Sequence, residues 1–421
     1  MSRHLRMGAL AAATAILAGG LGIGGAVAQE PVEIDWWHLD INDPGKSLRQ
    51  TIADEYTAAH PNVKINVTVL ENEALKSALA VEMQAGSPPD IFHSWGGGVL
   101  AEQVAAGMAQ PLDDAIADWV DTMNEGAMSV WQVDGVQYGI PYTFGLVGFW
   151  YNKDLFEQAG ITEPPTTWDE FLADVQTLKD AGITPIALAG QDMWPAMFYW
   201  AYLALRAGGQ AAYEEAIATG DWSGPAFLEA GNQLKRLIDM EPFQEGFLAA
   251  IYNDQSAVMG NGNAAMELMG QWAPGAEAAN SESGEGIDDS LGWFPFPALE
   301  GGAGLPTDIF GGGDGYAVGR DAPPEAVDFL KYLNSEEVSE RFAGLNTGIL
   351  PSTEAAVDAV TDPILQTLLQ KRAEATFAQL YLDQATTPAL GATINDSIQG
   401  LFAGSLTPEQ VSAAITEAAQ S

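Results

Sequence analysis

Aromatic side chains beside turns and predicted strand ends are the residues of this chain whose type and position best suit chemistry. Five of them are Trp37, Trp95, Tyr142, Trp194 and Trp272. The C–H face of a sugar packs on an indole ring, while the sugar hydroxyls bond to polar side chains and backbone groups. The pattern therefore indicates a site for a neutral carbohydrate. Core packing is the alternative for any single tryptophan, and we predict it for Trp119, Trp131, Trp150, Trp168, Trp200, Trp222 and Trp293.

The histidines do not form a metal-binding pattern. His38, His60 and His93 have no histidine four residues away and belong to no HExxH motif, and the chain has no cysteine. We therefore expect no metal and no cofactor. His60 precedes Pro61 and is expected to end a helix, whereas His38 and His93 lie at predicted strand ends, where they either pack or line a cleft.

Signatures of catalysis are also missing. The glycines at 96–98 and 311–315 fit neither a phosphate loop nor GxGxxG, and no GxSxG motif occurs. We expect no enzymatic activity, but a secreted glycosidase stays an alternative because 57 acidic residues supply chance carboxylate pairs. A binder of an amino acid, a peptide or a compatible solute is a second alternative. Carboxylate recognition usually needs an arginine, and few basic residues lie near predicted strand ends.

The segment 85–107, AGSPPDIFHSWGGGVLAEQVAAG, predicts how one of these tryptophans is positioned. A glycine and two prolines end a helix, an Ile-Phe pair forms the core of a short strand, and three glycines turn the backbone into a helix over 99–106. Ligands of open α/β sheets bind at the carboxyl ends of strands. We therefore expect Ser94 and an exposed Trp95 to meet the ligand there.

Strands and helices alternate along the whole chain. Apolar and polar residues alternate over 32–37 and 63–69, as in half-buried strands, and helical spacing follows over 48–56. Further strands are predicted at 91–92, 183–188, 264–269, 293–296 and 311–318, and helices at 75–83, 99–106, 167–182, 194–240 with breaks at its glycines, 324–333 and from 408. This order predicts an α/β fold with a mostly parallel sheet.

The N-terminus predicts export. Arg3 and Arg6 precede a short, glycine-rich apolar run that ends in Ala-Val-Ala at 26–28. We interpret 1–28 as a signal peptide cleaved after Ala28. Because no cysteine is present to carry a lipid, we expect a periplasmic protein that is not lipid-anchored.

Composition excludes several partners. The chain carries 16 basic and 57 acidic residues, for a net charge of −41, so its field repels nucleic acid and anionic lipid. Its 47% hydrophobic content excludes a disordered chain. Its length of 421 residues predicts two domains.

Several segments together carry a family resemblance. They are DWWHLDINDPG at 35–45, MQAGSPPDIFHSWGGG at 83–98, GIPYTFGLVGFWYNKDLFEQAGI at 139–161, PPTTWDEF at 164–171, AAMELMGQW at 264–272, FGGGDGYAV at 310–318 and GILPSTEAA at 348–356. With them the chain resembles the solute-binding proteins of carbohydrate-uptake ABC transporters, the group that includes maltose-binding protein. The stretch 70–98 is most similar to binders of xylobiose-type or related oligosaccharides.

The resemblance implies a type II periplasmic-binding-protein fold, with two interlaced α/β lobes, hinge crossings and a ligand cleft between the lobes. By analogy, the N-terminal lobe takes 29–140 plus 311–350, and the C-terminal lobe takes 141–310 plus 351–421. Loops 38–46 and 190–197 are expected to set specificity.

The resemblance also implies ligand contacts and partners. The implied contacts are Trp37, His38, Asn72, Ser94, Trp95, Tyr142, Trp194, Trp272, Gly312 and Asp314. The implied function is capture of a neutral mono- or oligosaccharide and its delivery to the ABC permease, whose separate ATPase subunit supplies the energy. We expect the protein to be a monomer.

Overall fold

The computed structural model describes residues 31–421. The predicted signal peptide therefore lies outside the described residues. The strands are β1 (Val32–His38), β2 (Val63–Val69), β3 (Ile91–Ser94), β4 (Gln132–Val133), β5 (Val136–Gln137), β6 (Gly139–Leu146), β7 (Gly148–Asn152), β8 (Met266–Met269), β9 (Leu291–Phe294), β10 (Ile309–Val318) and β11 (Ala378–Leu380).

The helices lie between and after these strands. They are α1 (Gly45–Ala59), α2 (Asn72–Ala85), α3 (Gly97–Ala105), α4 (Asp113–Ile116), α5 (Glu125–Ser129), α6 (Lys153–Ala159), α7 (Trp168–Asp180), α8 (Trp194–Thr219), α9 (Pro225–Ile238), α10 (Tyr252–Gly260), α11 (Ala273–Asn280), α12 (Pro324–Leu333), α13 (Glu336–Ala343), α14 (Pro363–Glu374), α15 (Leu382–Ala385), α16 (Pro388–Phe402) and α17 (Pro408–Ala419). Short 3₁₀ turns occur at Val120–Thr122, Phe247–Ala249, Asp288–Ser290 and Glu354–Ala359. From residue 31 onward, no helix combines the length and the apolar character that crossing a bilayer requires.

The larger sheet contains six strands in the order β2, β1, β3, β10, β11, with β6 also paired to β10. Strands β1, β2 and β3 are parallel, as predicted, and β11 is parallel to β10. Three of the five pairings in this sheet are therefore parallel, in agreement with the mostly parallel sheet that we predicted, but β10 runs antiparallel to both β3 and β6. Strand β10 belongs to the second half of the chain. It is not joined to β3 by a βαβ crossover, which would have made the two strands parallel. The smaller sheet, β8-β7-β9, is entirely antiparallel.

Two large groups of buried side chains form on either side of the β6–β10 pair. One group draws on residues 34–140 and 316–342, and the other on residues 146–310 and 343–415. Strand β6 contributes Ile140 to the first group and Leu146 to the second. Strand β10 likewise contributes Phe310 to the second and Tyr316 to the first. These two paired strands therefore carry the chain from one core to the other.

The glycine turn before α3 has the predicted course but a different reason for its glycines. Gly96 and Gly97 adopt positive φ values of 72° and 54°. A Cβ on Gly97 would lie 2.6 Å from the backbone oxygen of Gln384, and one on Gly98 would lie 2.2 Å from that of Thr386. These glycines are thus needed for close packing against the backbone around α15, whereas we predicted them as the residues that turn the chain.

The helices predicted over 167–182 and from 408 start where we expected them. The capping boxes of Thr167 with Glu170 and of Thr407 with Gln410 both form. Gly209 breaks the helical backbone within α8, and the left-handed Gly220 ends that helix.

One predicted strand is wrong, and another is displaced. Residues 183–188 are largely buried but form only isolated bridges through Ile186. The Ala187 backbone N–H still donates to the Met266 carbonyl of β8, but those of Leu188 and Ala189 donate to the side-chain oxygens of Gln244 and Gln255. The strand predicted at 293–296 lies at Leu291–Phe294, since Pro295 has no N–H to continue the pairing.

Candidate functional site

A cavity of about 240 Å³ opens between the two buried cores. One wall consists of the segments that follow β1, β2 and β3, as expected for the carboxyl ends of parallel strands. The opposite wall consists of the starts of α8 and α10 and the turn between β8 and α11. Strands β6 and β10 and the segments 342–349 and 381–384 complete the lining. The cavity is therefore assembled from chain segments that are far apart in sequence.

Aromatic rings dominate the second wall. The ring centroid of Trp194 lies 5.1 Å from that of Tyr252 and 6.3 Å from that of Trp272. Tyr381 stacks on Phe198 at 5.0 Å and meets Trp272 edge-on at 6.2 Å. Because each ring is held by its neighbours, this wall is a rigid apolar surface.

The structure brings most of the predicted contacts to this cavity. Its lining includes Asn72, Trp95, Tyr142, Trp194, Trp272 and Asp314. Trp95 is only 6% exposed, which corrects the prediction of an exposed indole, because its ring packs edge-on against His93 at 4.8 Å. It thus packs in the core and also lines the cavity.

Trp37, His38, Ser94 and Gly312 do not line the cavity. Trp37 packs against the core on one face of the larger sheet. The Ser94 hydroxyl is buried and donates to Gln103 Oε1 at 2.7 Å. A Cβ on Gly312 would meet the Tyr381 ring at 2.6 Å, so this glycine makes room for a ring that does line the cavity. These four residues therefore pack in the core or support residues that line the cavity.

His38 is a buried, neutral histidine behind the first wall. It is 1% exposed, and its Nδ1 accepts a hydrogen bond from the Asp40 backbone N–H at 3.2 Å. Burial, followed by the charge of Arg49, lowers the pKa of His38 to about 2. The ring therefore orients the Asp40 backbone and does not act as a proton donor at neutral pH.

Arg49 holds a buried positive charge next to the cavity, but its guanidinium is already engaged. Its Nε donates to Asp40 Oδ2 at 2.6 Å, and its guanidinium carbon lies 4.7 Å from the centre of the Tyr142 ring. Burial opposes this charge, but the Asp40 carboxylate together with the hydroxyl groups of Tyr316 and Tyr142 outweighs it, and the pKa of Arg49 is raised. The pairing fixes Asp40 and Tyr142 in the wall.

Polar atoms between the aromatic rings lack partners within the chain. Gln271 Oε1, Gln384 Oε1 and the Tyr381 hydroxyl are buried lining atoms, and no residue of the described 31–421 range hydrogen-bonds to them. Asp314 Oδ1 lies 3.3 Å from His93 Nε2. Buried polar groups without partners are costly, so this arrangement suits a ligand that supplies hydroxyl groups.

Sequence reasoning missed part of the lining. Tyr252 begins a helix after a turn, the same signal that singled out Trp194, and could have been included for that reason. The sequence gives no strong signal that residues 342–349 and 381–384 line the cavity. The segment 381–384 follows β11, which has only three residues, and most of 342–349 is irregular. Lys76 lies one turn into α2, where it pairs with Glu73 at 2.9 Å. Both of the loops expected to set specificity contribute, through Leu39, Asp40, Ile41, Asn42, Asp43, Gly45 and Trp194.

Potential metal ligands do not cluster in the described part of the chain. From residue 31 to residue 421, no group of three or more His, Asp or Glu side chains is placed to hold an ion. The side chains that line the cavity are suited to stacking and hydrogen bonding.

Comparison with known proteins defines the class. The family described as bacterial extracellular solute-binding protein matches residues 40–340, and the chain belongs to this family. An uncharacterized ABC transporter extracellular-binding protein of Pyrococcus horikoshii is 27% identical over 405 residues, covering 92% of this chain and 87% of that protein. The chain is thus a solute-binding component of an ABC importer, and proteins of this family act in the periplasm or outside the cell.

Two solved structures are similar over nearly their full length. A structure described for xylan utilization by the thermophilic bacterium Caldanaerobius polysaccharolyticus has a TM-score of 0.86 and 28% identity, covering 92% of this chain and 99% of that one. A chitin oligosaccharide binding protein has a TM-score of 0.84 and 29% identity, covering 93% and 98%. These similarities confirm the predicted type II periplasmic-binding-protein fold.

Proposed function

We propose that the protein captures a neutral saccharide in this cavity and delivers it to an ABC permease. The observation that carries the proposal is the wall of Trp194, Tyr252, Trp272 and Tyr381, interleaved with unpartnered polar atoms. Such a wall offers flat apolar faces to sugar C–H groups and acceptors to sugar hydroxyls. A purely apolar ligand would leave those acceptors unpaired.

The charges of the cavity disfavour an amino acid or a peptide as ligand. Among the lining residues found between 31 and 421, Lys76 is the only lysine or arginine, and Glu73 already pairs with it. Arg49, the nearby guanidinium, is 1% exposed and bonded to Asp40. A ligand carboxylate would also face Asp43, Glu71 and Asp314 without a free partner.

We further propose that the ligand is a short oligosaccharide. The proteins of known structure described above are linked to xylan utilization and to chitin oligosaccharides. A row of aromatic rings from Trp194 to Tyr381 offers more than one stacking position, which suits more than one sugar unit.

The cavity is proposed to lie between two lobes that close on the ligand. The N-terminal lobe would comprise 29–140 plus 311–350, and the C-terminal lobe 141–310 plus 351–421. The sharing of β6 and β10 by the two buried cores supports this division, with those strands as hinge crossings.

Family membership supports the proposed partners and location. We propose that a signal peptide is cleaved after Ala28, that the mature protein is a periplasmic monomer without a lipid anchor, and that a permease with a separate ATPase subunit accepts its ligand.

Isothermal titration calorimetry of the purified protein tests this function. The panel should contain xylo-oligosaccharides, chito-oligosaccharides, malto-oligosaccharides and their monosaccharides, with free amino acids and a dipeptide as comparison. We expect saturable binding of one saccharide class and none of the amino acids. Failure of every saccharide to bind would overturn the proposal. Release of phenol from an aryl glycoside of the bound sugar would instead indicate a glycosidase.

A further inference from the structure

Two buried glutamates, Glu267 and Glu277, lie within hydrogen-bonding reach of each other in the protein interior, on the elements that flank Trp272. Glu267 lies on β8 and is 0% exposed, and Glu277 lies on α11 and is 1% exposed. The Gln255 side chain on α10 donates to Glu267 Oε2 at 2.9 Å. Glu267 Oε1 and both carboxyl oxygens of Glu277 receive no such donation within residues 31–421. Two carboxyl groups in this setting need a proton between them.

The groups that surround the pair do not balance two negative charges. Tyr199 of α8 and Tyr252 of α10 face it, and Trp150 of β7 is the strand neighbour of Glu267. None of the ion pairs found in the described range involves either glutamate. Burial raises the pKa of Glu267 to about 7, and burial together with the charge of Glu267 raises that of Glu277 well above its ordinary value.

The pair holds together the elements that present the ligand-contacting rings. Glu267 lies five residues before Trp272, and Glu277 lies five residues after it. Gln255, which bonds Glu267, lies in the first turn of the helix that begins with Tyr252. The C-terminal end of that helix packs on α11 so closely that a Cβ on Gly260 would lie 2.2 Å from the Glu277 backbone oxygen.

We propose that Glu267 and Glu277 share a proton, and that this carboxyl pair positions Trp272 and Tyr252 for ligand binding. The second part rests on the proposed saccharide-binding function. Both glutamates are positioning residues, since neither lines the cavity. Loss of the shared proton would place two like charges between β8 and α11 and displace the turn that carries Trp272.

The direction of the pH effect follows from the linkage of proton binding and stability. Both groups have a higher pKa in the folded protein than the ordinary value of 4.5, so between these values the folded state binds more protons than the unfolded state. The stabilisation is complete below about pH 4.5 and decreases as the pH rises through about 7. Saccharide affinity should decrease in the same direction, because the bound state requires the ordered turn.

Glu277→Gln tests the proposal, with Glu285→Gln as the matched control on the exposed loop after α11. The glutamine amide donates to Glu267 without a shared proton, so the variant should lose the pH dependence. From about pH 6 to about pH 9, we expect the affinity of wild type and of Glu285→Gln to fall about tenfold, and that of Glu277→Gln to change less than about twofold.

Two readouts do not require a ligand. Carbon-13 NMR of protein labelled at the glutamate side-chain carboxyl should show a pair of carboxyl groups that together retain a proton near neutral pH in wild type, and this signal should be altered in Glu277→Gln. Tryptophan emission should change over the same pH range in wild type but not in Trp272→Phe. Tryptophan emission of Glu277→Gln should likewise stay unchanged over this pH range.

The outcomes separate the two proposals. Two carboxyl groups fully ionised at neutral pH would overturn the shared proton. An equal pH dependence of affinity and emission in wild type and Glu277→Gln would overturn the positioning role. If no saccharide binds at any pH, the proposed function fails, while the NMR and emission titrations still decide the fate of the pair.

Discussion

At the scale of single residues, the same motifs contain two kinds of side chain. Some are proposed to contact the ligand, and others support those that do. Trp37 and Trp272 both stand beside turns in family-like segments, but only Trp272 lines the cavity. His38 and Ser94 are buried behind the wall, where they bond to Asp40 and Gln103. The motif residues thus include both the groups proposed to touch the sugar and those that hold them.

Trp272→Ala should weaken saccharide binding severely. The indole belongs to the ring wall, and removal of a central aromatic contact typically costs about 2 kcal/mol, or roughly a thirtyfold loss of affinity. Trp37→Ala is the matched control, since Trp37 is also half-buried but lies off the cavity. Calorimetry on both folded variants checks this. Equal losses in the two would show that Trp272 acts only through stability.

His38→Gln should reduce the loss of stability in acid. The unfolded chain takes up a proton at the ordinary histidine pKa of 6.5, whereas the folded ring resists protonation down to about 2. Stability that is present above 6.5 is therefore lost as the pH falls, by about 2 kcal/mol between pH 7 and pH 5.

Urea unfolding at these two pH values measures this effect. The difference between the two free energies of unfolding should shrink by about 2 kcal/mol in His38→Gln relative to wild type. It should stay unchanged in His60→Gln, because His60 is exposed. The same shrinkage in both variants would contradict the role of His38.

At the scale of elements, packing fixes the turn between β3 and α3 that presents Trp95. Gly98→Ala should destabilise the protein by about 1–3 kcal/mol, because its Cβ would lie 2.2 Å from the Thr386 backbone oxygen. Gly126→Ala is the matched control in another helix, where the nearest atom would lie 3.4 Å away, and it should be neutral or slightly stabilising. Thermal unfolding of both variants checks this. Equal stabilities would mean that α15 moves aside freely.

Elements whose order depends on local pattern could be predicted from the sequence. Alternation placed β1 and β2, capping boxes placed the starts of α7 and α17, and Gly209 marked the break in α8. The 183–188 segment could not be predicted correctly, because its pairing with β8 ends at Ala187 and the side-chain oxygens of Gln244 and Gln255 accept the next two backbone hydrogen bonds. A buried apolar run has the same sequence pattern whether its backbone pairs with a strand or bonds to side chains.

The candidate site was predictable where a ligand-lining residue directly follows a regular strand or begins a helix, as Trp95, Asn72 and Trp194 do. Tyr381 and Gln384 follow a three-residue strand and reach the cavity only because β11 pairs with β10. That pairing is a long-range contact with no local signal. The buried carboxyl pair has the same origin, since the packing of α11 on α10 brings Glu277 into the interior, where Gln255 of α10 bonds Glu267.

At the scale of the whole molecule, two cores joined by β6 and β10 leave a cavity whose walls belong to different cores. The first wall supplies polar groups from the ends of parallel strands, and the second supplies the ring wall. A ligand that bridges them would gain from both, which is the physical basis for the closure that we propose.

The crystal structure of the protein with the saccharide that calorimetry selects is the most direct test of saccharide capture in this cavity. We expect a sugar ring packed against Trp272 or Trp194, with its hydroxyls bonded to Gln271, Gln384 or Asp314. A saccharide bound at another surface, with this cavity holding none, would contradict the proposed site.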